Sequence, residues 1–158
     1  MLKPLTMIVY RIGRTKHARD LTGEGARLNG GRWNHKLTPC IYASENKALA
    51  LLEYTVNINI DEIPRALSFT VIQIPDTGIL QLNIAELPGN WTASPTPSST
   101  RDIGTAILKK GDYAIIKIPS TVISYEFNYL INPLRLDIAK CKILDVTDFI
   151  YDVRIKMV

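Results

Sequence analysis

The stretch GEGARLNGGRWN, residues 23–34, sets Arg27 and Arg32 among four glycines and follows them at once with Trp33 and Asn34. Glycine lets backbone approach a ligand closely and turn its N–H groups onto an anion, and a planar guanidinium suits bidentate contact with phosphate. Arg11 adds a third cation inside the apolar run that precedes this stretch. Downstream stand Tyr42, Glu53 and Ser120, each with an ordinary explanation of its own: core packing, a helical ion pair, a turn after Pro119. Taken together they supply cations, an aromatic ring, a carboxylate and a hydroxyl. That set suits a ligand with a pyrophosphate, a flat ring and a sugar.

Better-known phosphate motifs do not fit. Gly25 and Gly30 have the spacing of a nucleotide-triphosphate loop, but Gly31 and Arg32 stand where Lys and Ser/Thr are needed. Gly23-x-Gly25 is followed by Leu28, not by the third glycine of a dinucleotide fingerprint. His17 and His35 have no ligand-spaced cysteine or carboxylate, so neither a metal site nor a cofactor is expected. The net charge of +4 admits an anionic ligand but falls short of the basic stripe of a nucleic-acid binder, so no direct nucleic-acid contact is expected. Cys40 and Cys141, both in apolar surroundings, read as buried reduced thiols. The opening residues have no apolar run long enough for a signal peptide or a membrane span, which gives the expectation of a cytoplasmic protein.

The elements that must position these residues can be read along the chain. With 158 residues, 46% hydrophobic and 22% charged, one domain with a real core is expected. Residues 8–12 form a strand ending at Gly13, and 14–31 read as loop. Residues 39–44 form a short strand, with Ser44 placed to cap a helix over 45–58. On that helix Leu49, Leu52, Glu53 and Val56 share a face, so Glu53 lies at the edge of an apolar stripe, where it needs a partner. Strands follow at 66–75 and 79–83. Residues 87–102 read as a long loop rich in Pro, Ser and Thr, leading to a short helix closed by Gly111. Three more strands are expected at 113–120, 122–132 and 142–146. Strands outnumber helices without regular β-α-β alternation, so the class is α+β with a mixed or antiparallel sheet.

Five segments in order resemble one family: Tyr-Arg at 10–11, GxGARLxGGRWN at 23–34, IYASExxALALLE at 41–53, IPSxVI at 118–123 and NYLINP at 128–133. The chain is similar over residues 1–158 to the RES domain, the toxin of RES–Xre type II toxin–antitoxin systems. The resemblance implies an ADP-ribosyltransferase-like fold and a reaction on NAD, consumed as substrate, in which the nicotinamide–ribose bond is broken. Water, phosphate or a protein side chain then accepts ADP-ribose. It further implies a helix-turn-helix antitoxin of the Xre type as partner, and a homodimer or toxin–antitoxin hetero-oligomer. Carried onto this sequence, the functional set is Arg11, Tyr42 and Glu53 for catalysis, with Arg32 and Ser120 binding substrate. Arg11 and Arg32 would hold phosphate charge, and Tyr42 would stack on the nicotinamide side. Glu53 would bind the ribose and stabilise an oxocarbenium-like ring, and Ser120 would bond the carboxylate or the substrate. Asn34 and Asn128 join as ligand contacts or as loop and turn braces.

One segment departs from the family: Leu134 and Arg135 follow Asn-Pro where many members carry a histidine and an acidic or prolyl residue. Two other functions use the same residues differently. A non-catalytic nucleotide sensor would keep the pocket without turnover. An RNA-cleaving toxin would need a general acid and base and a basic face, which two unpaired histidines and a modest charge do not supply.

Overall fold

A computed structural model describes residues 5–156, apart from the side chains of residues 136 and 137. Seven strands form one mixed sheet: β1 (Thr6–Arg14), β2 (Ile41–Ser44), β3 (Leu67–Pro75), β4 (Ile79–Gln81), β5 (Ile115–Pro119), β6 (Phe127–Ile131) and β7 (Lys142–Phe149). Their order is β4-β5-β6-β2-β1-β3-β7, antiparallel throughout except for the parallel edge pair β4–β5. Among the described residues three α-helices accompany the sheet: α1 (Glu24–Asn29), α2 (Lys47–Asn57) and α3 (Ser98–Lys110). No helix among the described residues is long and apolar enough to cross a membrane.

Side chains alternate along the strands, so each puts one set of residues on each face of the sheet, with one register irregularity where β3 pairs β7 at Val71/Ile72. Val9, Ile41, Ala43, Ile72, Ile74, Ile115, Tyr129 and Ile131 build the core of one face. On the other face Trp33, Ile116, Ile118, Leu130 and Leu108 pack together, bringing α3 and the glycine-rich stretch onto β5 and β6. A third cluster of Ile12, Ala50 and Phe69, joined by Tyr10, Leu51 and Tyr54, seats α2 over β1 and β3. Thus α2 and α3 sit on the same face over different halves of the sheet. Beneath the gap between them lies its weakest seam, where β1 and β2 share a single register pair, Tyr10 opposite Ser44.

Several local expectations are corrected. Ser44 does not cap α2. It is the last residue of β2, and Asn46 is the cap, its side-chain oxygen accepting from Leu49 N at 2.8 Å. The buried residues of α2 are Leu49, Ala50 and Thr55, while Val56 is exposed, because the helix turns its Ala50 side to the sheet and leaves its Glu53–Val56 edge toward the gap. Residues 14–31 contain a short 3-10 turn and α1, and α3 begins at Ser98, inside the stretch read as loop. The weak helix formers at its start are held by tertiary packing: Thr100 is fully buried and Gly104 meets Trp33. Gly111 ends α3 in a left-handed conformation, as its position suggests.

Candidate active site

A cleft of about 580 Å³ opens over the β1–β2 seam, within the usual range for small-molecule sites. Its lining brings together Arg11, Arg32, Tyr42, Glu53 and Asn128 with Ser44 and Arg101.

Glu53 lies at the centre of its hydrogen bonding. Ser120 Oγ donates to Glu53 Oε1 at 2.7 Å, and Asn128 Nδ2 donates to the same oxygen at 2.7 Å. Ser120 is itself fixed, accepting from the backbone N–H groups of Val122 at 3.0 Å and Ile123 at 3.1 Å. Asn128 is fixed from behind by Ser44 Oγ, which donates to Asn128 Oδ1 at 2.6 Å. That bond orients the amide so that its NH₂ faces the carboxylate, since the reverse orientation would oppose two acceptors. Oε2 of Glu53 accepts no protein hydrogen bond among the described residues. One carboxylate oxygen is therefore anchored and the other is left for a ligand.

The glycine-rich stretch forms α1 and then a tight turn, with Gly31 bridging to Asn34. Trp33 is 2% exposed and part of the core, and Asn34 is fully buried. Asn34 Nδ2 donates to Ala26 O at 2.8 Å and Thr38 O at 2.9 Å, while Oδ1 accepts from Tyr42 Oη at 2.6 Å. Tyr42 Oη in turn accepts from Trp33 N at 3.0 Å, so this phenol ties the turn to β2. Burial holds the Tyr42 hydroxyl well above its ordinary pKa, which keeps it a neutral donor. Close approach requires glycine at positions 31 and 104, as it does at Gly23 before α1. A Cβ on Gly31 would lie 2.6 Å from Tyr42 Oη, and one on Gly104 would lie 1.8 Å from the Trp33 carbonyl.

The arginines part company. Arg27 pairs with Glu24 at 2.7 Å on α1 and does not line the cleft. Alternation along β1 puts Arg11 on the opposite face from Tyr10 and Ile12. Its guanidinium donates to Asp20 O and Ala18 O, each at 3.0 Å, bordering the cleft from beyond the seam. Burial lowers its pKa, opposed by the Asp20 charge. Arg32 Nη1 donates to Trp91 O at 2.9 Å and Ala93 O at 3.0 Å, tying Arg32 to the 91–93 turn. Its pKa is lowered by burial, raised by Glu53 and lowered again by Arg101. No local pattern singles out Arg101, because it lies in a segment that reads as loop. Ser44, which reads as a helix cap, instead orients Asn128.

Fold and site thus define an α+β domain with a cleft that brings arginines together with a fixed carboxylate. The RES domain family matches residues 8–152, and the chain belongs to it. Among its relatives, Toxin Res of Yersinia enterocolitica is 35% identical over 152 residues, covering 95% of this chain and all of the relative. The Prs ADP-ribosylating toxin of a Sphingobium strain is 33% identical, covering 95% and 97% respectively. The crystal structure of the M. tuberculosis MbcT–MbcA toxin–antitoxin complex contains a chain of the same fold. Its TM-score is 0.76 at 19% identity, covering 93% of this chain and 86% of that one.

Proposed function

We propose that this protein is the toxin of a toxin–antitoxin pair and that it acts in the cytoplasm by breaking the nicotinamide–ribose bond of NAD. The observation that carries this reading is the Glu53 carboxylate, one oxygen bonded by Ser120 and Asn128 and the other left for a ligand beside Arg32. Nicotinamide leaves with the electron pair of the glycosidic bond and thereby loses its ring charge, so no strong general acid is needed. Positive charge develops on the ribose ring, and a carboxylate held in place without reorganisation stabilises it. The acceptor then adds to the anomeric carbon and gives up its proton. Arg32 holds substrate phosphate. Tyr42 and Asn34 keep the turn that carries Arg32 in position, and the Tyr42 ring borders the nicotinamide side. Arg11 fixes the 17–20 loop beside the seam.

A relative named as an ADP-ribosylating toxin supports transfer to a protein side chain, with water and phosphate as the competing acceptors. A fold neighbour seen in a toxin–antitoxin complex supports an antitoxin partner; we take it to be of the Xre type, with the toxin in a homodimer or toxin–antitoxin hetero-oligomer. Incubating the purified protein with NAD and following free nicotinamide tests the reading. Release that stops on addition of the antitoxin is expected. NAD binding without release under any acceptor would overturn it in favour of a sensor.

A further inference from the structure

We infer that Arg101 and Arg32 together form the diphosphate-binding site of the cleft, with Arg11 serving instead as a brace. Arg101 projects from the second turn of α3, and its Nε donates to Gly31 O at 3.1 Å, which places it against the residue preceding Arg32. Both arginines line the cleft, and the pKa of Arg32 is lowered by burial and further by the positive charge of Arg101. Among the described residues no carboxylate forms a salt bridge with either of them. Asp102, next in the chain, is taken by His35 at 2.6 Å.

A purely structural Arg101 would need only its Nε bond to Gly31. Thr105 accepting from His35 N at 2.8 Å, and the Gly104–Trp33 packing, already hold α3 to the same turn. Its two terminal nitrogens carry no protein hydrogen bond among the described residues, and neither do Nε and Nη2 of Arg32. Two like charges held side by side with unused donors are the arrangement a dianion resolves. Arg11 differs: its terminal nitrogens are committed to backbone carbonyls, and Asp20 offsets its charge. Glu53 and both arginines line the same cleft, so a ribose held at Glu53 would leave its 5′ phosphates within that cleft to meet the pair.

This inference rests on the nucleotide reading above, and the test separates the two. Binding of ADP, inorganic pyrophosphate and adenosine is measured by calorimetry for the wild type, Arg101→Ala and Arg101→Lys, with thermal melts alongside. ADP and pyrophosphate are expected to bind Arg101→Ala at least tenfold more weakly, with adenosine changed less than twofold and Arg101→Lys intermediate. The KM for NAD should rise more than kcat falls. Equal weakening of ADP and adenosine would mean that Arg101 only braces Gly31 and would overturn the inference. So would unchanged ADP binding in Arg101→Ala, or a wild type that binds ADP no better than adenosine. If Arg101→Ala does not fold, a Lys variant with wild-type ADP affinity is the overturning result. A wild type that binds ADP but never releases nicotinamide would instead sink the catalytic reading and leave this one standing.

Discussion

Glu53→Gln isolates the charge of the central carboxylate from its hydrogen bonds. The Gln carbonyl oxygen can still accept from Ser120 and Asn128, which now share Oε1 at 2.7 Å each, so both donors keep their partner. Stability should accordingly change by less than about 1 kcal/mol, since no buried donor is orphaned. Catalysis should suffer far more. A unit charge about 4 Å from a cationic ribose ring, at an effective dielectric of about 20, contributes about 4 kcal/mol. That energy corresponds to roughly a thousandfold in rate. Nicotinamide release at saturating NAD measures kcat, and a thermal melt monitors the fold. A variant with an unchanged melt and a kcat within tenfold of wild type would refute the electrostatic role of Glu53.

Other substitutions probe the scaffold around that carboxylate. Ser120→Ala removes one of its two donors and the acceptor of two backbone N–H groups, so a loss of about 1–3 kcal/mol in chemical denaturation is expected together with reduced kcat. Gly104→Ala puts a methyl group against the Trp33 carbonyl, and it should lower the melting temperature by several degrees and weaken nucleotide binding as the turn is displaced. Tyr42→Phe orphans Trp33 N and Asn34 Oδ1, costing about 1–3 kcal/mol by the same denaturant assay. Burial pushes the Cys40 thiol upward in pKa, so a thiol reagent at neutral pH should label it only as the protein unfolds, and rapid labelling of the native fold would contradict that burial.

The chain itself carried much of this design. Alternating apolar residues marked β1, β3 and β5, and the Ala/Leu-rich segment marked α2 with Glu53 on its cleft-facing edge. These are local signals, set by side-chain period and propensity, and they survive into the fold because packing agrees with them. The glycine-rich stretch reads as backbone approaching a ligand, yet the close contact at Gly31 is with Tyr42 Oη of the protein itself, a tertiary contact that no local period encodes.

What the tertiary structure decided is which side chains share a neighbourhood. Arg27 reads from sequence as a ligand-facing cation, yet Glu24 one helical turn away claims it. Arg101 stands in a polar stretch with no periodic signal, and only the packing of Gly104 against Trp33 turns that stretch into helix and brings the guanidinium to Arg32. Ser44 could cap a helix or end a strand by composition alone. Its pairing with Asn128 across β2 and β6 made it part of the support for Glu53. Residue types and local periods limit what a segment can do, whereas contacts between residues 53, 101, 120 and 128 depend on strand order and helix placement, which no local pattern encodes.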